Sequence, residues 1–294
     1  MTFPPPQSGH SLQDPYGAAP AAGGPVSGAG PAAGAGPASG AGPAAGAAGA
    51  GQAPAPGATG PAPGTDLGAD LGAALRFAGR ALLRNALTLL GAGLLYSVVM
   101  AGVIAGAVTG FVMLLINAAD AAPSAPNEPT AVEILLLIAL SLVIMVIAVL
   151  FAMLWQSGAA RASGVILEGD RPSFGQALIG PGRILVTALL VLVITAVGSL
   201  LLYLPGIIAA VVLMYAIPAA VHGASPVAAL KESFALARAN LGTTIVAYLV
   251  YMVASYLGGL IVIGIIAVIP FAILFQMGLY ERLNGRQLPE PAGA

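Results

Sequence analysis

Apolar residues run along this chain in four long blocks, residues 86–117, 131–156, 184–221 and 243–280, and most polar residues fall in the gaps between them. A helix crossing a ~30 Å hydrocarbon core needs about 20 apolar residues. The first block predicts one tilted span that overshoots the bilayer and is ended by Asn117, Asp120 and Pro123. The second predicts one span, with Trp155 placed as an interfacial aromatic anchor. The third and fourth are near twice the required length, so each predicts a helical hairpin. Leu204-Pro205-Gly206, beside Tyr203, is the expected turn of one, and Gly258-Gly259, next to Tyr256, that of the other. A helix breaks at least cost where glycine or proline already weakens it. Pro218 and Pro270 fall inside spans and predict kinks. The pattern gives an all-α polytopic membrane protein with six transmembrane helices in three pairs.

A short amphipathic stretch precedes each pair. The first and third align as ALRFAGRALLRN over ALKESFALARAN, and between them lies Pro172-Ser173-Phe174-Gly175-Gln176-Ala177-Leu178. Arg76, Arg80 and Arg84 recur every four residues and share one helical face, while Leu71, Leu75 and Leu82 lie on another. In the third stretch Leu230, Phe234, Ala237 and Leu241 make the expected apolar stripe, and Ser225-Pro226 is a cap followed by a first-turn proline. A basic face opposite a Leu/Phe face suits an interfacial helix. Arg76, Arg80 and Arg84 are therefore the candidate contacts to anionic lipid.

Charge sets the orientation. All ten lysines and arginines fall in alternate gaps: Arg76, Arg80, Arg84; Arg161, Arg171, Arg183; Lys231, Arg238; Arg282, Arg286. The gap at residues 118–130 holds Asp120 and Glu128 with no basic residue, and the two hairpin turns are uncharged. Basic residues collect in cytoplasmic loops, so both termini and the lead-in helices are expected to be cytoplasmic and the protein to lie in the inner membrane. Four unbroken spans would put basic residues on both sides, which favours six.

Composition agrees, with 58% hydrophobic and 7% charged residues against about 25% charged in soluble domains. Three segments are expected: a tail over 1–65, a membrane domain over 66–285 and a short disordered tail over 286–294. Residues 28–51 repeat a GAGPAA-like hexad with drift, and prolines at Pro31, Pro37 and Pro43 block helix propagation. Glycine does not recur every third residue, which excludes a collagen triple helix. The first tail buries too little apolar area to offset its ordering entropy and is expected to be disordered. Pro4-Pro5-Pro6 and residues 54–63 could dock as polyproline II; a spacer, or a drifting linker, is the plainer reading. The N-terminus lacks the basic region and short apolar core of a signal peptide, so the first span is expected to act as its own uncleaved insertion signal.

The run SGVILEGDRPSFGQAL, the Leu-Pro-Gly turn and SPVAALKESFALARANLG resemble a bacterial membrane-domain family. That family is fused to some glycerophosphodiester phosphodiesterases and also stands alone in proteins of unknown function. The likeness covers roughly residues 71–285 and rests on the Gly-x-x-Pro-Ser turn at 169–173, Ser225-Pro226, Ser233 and Asn240. It implies a six-helix-type membrane domain and supplies no catalytic residues. The chain has no room for the phosphodiesterase domain, so that activity is not inferred.

Candidate chemistry is sparse. His10 sits in the tail, and His222 ends a span with no second histidine nearby, which gives no metal site. Glu133, at the edge of a span, can snorkel to the outer loop, and Glu168, Asp170 and Arg171 read as a turn between helices. Absent cysteine removes disulfides and thiolate chemistry, and a net charge of −1 predicts no nucleic-acid partner. Gly102, Gly106 and Gly110 form a small-residue ladder that reads first as close packing within the bundle and second as a dimer face. No catalytic residue, cofactor or metal is expected; the partners are the lipid bilayer and another membrane protein or a second copy. An accessory or structural membrane protein leads, with a transporter or permease-like module as the alternative. The topology makes a direct prediction. In this cysteine-free chain, Ser124→Cys should react with impermeant maleimide in intact cells and Ser225→Cys should not; outside labelling at position 225 contradicts the six-span arrangement.

Overall fold

The computed structural model describes residues 61–121, 130–260 and 262–289, and every regular element among them is an α-helix. Residues 1–60 of the expected first tail, residues 122–129 of the loop after the first span, and residues 290–294 lie outside the described residues. In chain order the helices are α1 (Leu67–Arg84), α2 (Ala86–Ala121), α3 (Ala131–Leu167), α4 (Phe174–Leu178) and α5 (Gly182–Leu202). They continue with α6 (Leu204–Val212), α7 (Ala216–Val221), α8 (Pro226–Ala239), α9 (Leu241–Gly259) and α10 (Val262–Leu283). Six stretches are long and apolar enough to cross a membrane. They pair as α2 with α3, α5 with α6–α7, and α9 with α10, and α1, α4 and α8 each lead into one pair.

Local chemistry accounts for the boundaries. Asp66 caps α1 by accepting from the Ala69 N–H at 2.6 Å. Thr130 and Glu133 form a capping box on α3, and Ser173 and Gln176 form one on α4. Ser225 occupies the N-cap position of α8 without a side-chain cap hydrogen bond, so Pro226, with φ preset, is what starts that helix. The third block reverses at Tyr203, whose φ is 61°. A Cβ on Gly206 would collide with Ser199, so the close return of α6 onto α5 requires glycine there. The fourth block turns after Gly259, and a Cβ on Gly264 would strike the Gly258 carbonyl.

The proline in the third block does more than kink it. Pro218 has no N–H and its ring crowds the carbonyl four residues earlier, that of Met214. The helix stops at Val212 and restarts at Ala216. Ser233 of α8 closes the gap: its Oγ accepts from the Tyr215 N–H at 3.0 Å and donates to the Val212 carbonyl at 2.8 Å. Tyr215 Oη lies 3.3 Å from Thr244 Oγ1 of α9. Pro270, by contrast, lies inside α10 without ending it.

The core lies at one end of the bundle. It is built from α1, the starts of α2, α5 and α9, the ends of α3 and α10, and α7 with α8, and alanines dominate it. The opposite halves of α2, α3 and α5 present Leu, Val and Ile outward. Two expectations change here. Trp155 is 6% exposed, stacked 6.4 Å from Tyr96 and lying where a Cβ on Gly93 would be; it is core, because α3 continues to Leu167 instead of ending at Gln156. On α8 the buried residues are Ala229, Ser233 and Ala237, so Ala237 of the expected stripe is buried, while Phe234, and Leu241 at the start of α9, are 50% and 48% exposed. Small residues let α8 approach α7 closely; the large ones face away.

Ser233 satisfies two buried backbone groups at once, so Ser233→Ala should destabilise the fold by about 1–3 kcal/mol. Ser141→Ala, which removes only a bond to the Leu137 carbonyl in its own helix, should cost far less. Thermal unfolding of both variants in detergent checks this.

Candidate functional site

Most of the ionised side chains with a described partner meet at the core end, around the last turn of α10. Asp70 lies in the first turn of α1, on the face that also carries Ala74, Phe77, Ala78 and Ala81, and is 1% exposed. Its Oδ1 lies 2.7 Å from Arg282 Nε and accepts from the Gly64 N–H at 3.1 Å. A carboxylate buried to this degree persists only when paired and hydrogen-bonded, and here it has both. Arg282 also sits at a helix C-terminus, where the dipole favours a cation.

The neighbours of Arg282 bind two further elements. Tyr280 Oη donates to Glu232 of α8. Glu281, 7% exposed, sets Oε1 2.7 Å from His222 Nε2 and Oε2 2.7 Å from Arg286 Nε. The Arg286 guanidinium lies 5.6 Å from the Tyr280 ring centroid, and the His222 ring 5.1 Å from it. Glu281 beside His222 raises the imidazole pKa, and partial burial opposes the rise. Next to this cluster is a recess of about 390 Å³ whose lining includes Arg183, Glu168, His222, Glu281 and Gln287. Arg183 Nη2 donates to the Val221 carbonyl at 3.3 Å.

The residues singled out in the sequence fall into different surroundings. Arg76, Arg80 and Arg84 are all exposed on the outer face of α1, as their spacing requires. That helix is docked on α10 through its opposite face, so its basic side is held outward. Gly102, Gly106 and Gly110 are exposed, with open space where a Cβ would stand. Close packing within the bundle is therefore not their role among the described residues. Glu133 is spent on the α3 capping box. Glu168 caps the end of α3, where Gly169 at φ 88° turns the chain. His222, which reads from sequence as a lone interfacial histidine, is the partner of Glu281. No three His, Cys, Asp or Glu side chains converge as a metal site among the described residues.

Sequence reasoning passed over Asp70, Glu232 and Glu281. One signal was available: Asp70 stands four residues before Ala74, on the apolar stripe of an amphipathic helix, where an acid must have a partner. Which cation answers it, 212 positions later, has no local trace.

No family model matches the chain, and no solved structure does. Curated relatives do. The chain is 31% identical to "Uncharacterized protein Rv2560" of Mycobacterium tuberculosis over 232 residues, covering 76% of this chain and 71% of the relative. "Uncharacterized protein Mb2590" of Mycobacterium bovis matches with the same identity and coverage.

Breaking one side of the α1–α10 pair should cost more than replacing both. Asp70→Leu is expected to destabilise by about 3–5 kcal/mol because it strands a buried guanidinium, whereas Asp70→Leu with Arg282→Met should regain most of that loss. A double-mutant cycle on unfolding in detergent measures the difference.

Proposed function

The chain belongs to one family with these mycobacterial proteins, and from that premise we propose an accessory or structural role in the cytoplasmic membrane, with both termini inside and no catalysis. The observation that carries the reading is how the polar groups of the spans are used. Ser97, Ser141, Thr187 and Thr195 each donate to the carbonyl four residues back in their own helix. The ionised groups pair at one end, where they fasten helices to each other. Side chains employed this way serve to hold a bundle together, which supports the accessory reading over a solute path.

On this reading Arg76, Arg80 and Arg84 rest on anionic headgroups, and the open ladder Gly102, Gly106 and Gly110 offers a face for a second copy or another membrane protein. The kinship with phosphodiesterase-fused membrane domains belongs to the same reading. It rests on sequence motifs alone, the Gly169–Ser173 turn, Ser225-Pro226, Ser233 and Asn240; in the structure the Ser233 hydroxyl closes the α6–α7 gap. That gap is also what favours a transporter, since discontinuous helices build midplane ion sites. Ser233 instead uses that gap to fasten α8 to the broken helix, through the Tyr215 N–H and the Val212 carbonyl, which supports the accessory role.

Protein recovered in mild detergent should carry a membrane-protein partner or be a dimer; partner-free monomer that moves a solute in proteoliposomes would support the transporter instead. Changing Arg76, Arg80 and Arg84 together to Gln should lower co-purifying anionic lipid by roughly fivefold per residue, at about 1 kcal/mol each. Neutral lipid retention should stay constant. Native mass spectrometry of lipid-bound protein reads both.

A further inference from the structure

Both nitrogens of the His222 ring face acceptors. Nδ1 lies 2.9 Å from the Pro218 carbonyl oxygen, and Nε2 lies 2.7 Å from Glu281 Oε1. A neutral imidazole carries one N–H, so either tautomer sets a bare ring lone pair against an oxygen. The imidazolium alone presents a proton to each. Glu281 Oε1 is fully buried and the ring nitrogen 2.7 Å away is the cationic group set against it, so the contact is favoured by a positive charge on the imidazole.

We infer that His222 is a proton-binding site which, when occupied, latches the C-terminal segment and α10 to the end of α7. The chain of contacts runs from the Pro218 carbonyl through His222 and Glu281 to Arg286. Arg286 is the first residue of the segment whose Gln287 and Pro289 help line the recess beside His222 and Arg183. Loss of the proton leaves Glu281 with one cation instead of two, and sets a ring lone pair against an oxygen. The latch loosens and the recess opens.

The groups around the ring decide the direction. Glu281 and Tyr280 face it from α10, Arg286 from the C-terminal segment, and Arg183 and Glu168 across the recess. The arginines oppose protonation, but the carboxylate is in contact and dominates, so the folded-state pKa lies above the ordinary value. A raised histidine pKa adds stability that is complete below about pH 6.5 and is lost as pH rises through the folded-state value. His222 remains 30% exposed, so a proton reaches it from solvent.

Three measurements on the full-length protein in detergent or nanodiscs test this. In a His10→Gln background His222 is the remaining imidazole, and an NMR titration should place its pKa above about 6.5; a value at or below that overturns the proposal. Wild-type Tm should fall between pH 6.5 and 8.5 relative to His222→Gln, which cannot titrate; parallel profiles overturn it. Finally, Gln287→Cys should react with maleimide at rates compared, at each pH, with the same cysteine in a His222→Gln background. That ratio should rise several-fold across the same window, cancelling the thiol's own pH dependence, and a flat ratio overturns the latch. Should His222→Gln fail to fold, the titration and the wild-type Tm profile still decide the question.

Discussion

A buried carboxylate in a membrane protein admits few solutions, and Asp70 organises this structure through the one it adopts. Its charge is neutralised by Arg282, and with that pair made, α1 must lie along the last turns of α10. The same turns present Tyr280 to Glu232 on α8 and Glu281 to His222 at the end of α7. One helix end thereby joins elements from all three repeated units. Each of these contacts is costly to leave half-made, which gives the arrangement its specificity.

The placement of the core follows from the solvent. Apolar faces gain nothing by leaving lipid for protein, so the far halves of α2, α3 and α5 display large side chains outward. Near the charged end, where the chain meets water, burial is favourable again, and alanines bring helices close enough for hydroxyls and carbonyls to meet. Ser233 works because Ala229 and Ala237, one turn to either side, let α8 approach the broken helix.

Much of this was legible in the sequence. Span number, hairpin turns and the three lead-in helices follow from run length, from Pro205 and Gly258–Gly259, and from the recurrence of arginine every four residues, all local properties. What was illegible was which side of a uniformly apolar helix packs. Trp155 reads as an anchor and is core; Phe234 reads as part of the apolar stripe of α8, yet the face that packs is Ala229, Ser233 and Ala237; Gly102, Gly106 and Gly110 read as packed and stand open. Hydropathy does not separate lipid from protein as a neighbour. Asp70, Glu232 and Glu281 escaped for a different reason, since their partners are distant in sequence.

The spans differ in length. The apolar part of α2 covers 32 residues and α9 covers 19, about 48 Å against about 29 Å of helix. A flat hydrocarbon slab ~30 Å thick fits the second and not the first. One flank of the molecule therefore matches an undisturbed bilayer, while the other must lean steeply or thicken the lipid beside it. Mismatch of this kind costs fractions of a kcal/mol per Å, and over a difference of about 19 Å it gives the two flanks different preferences for bilayer thickness with no specific contact.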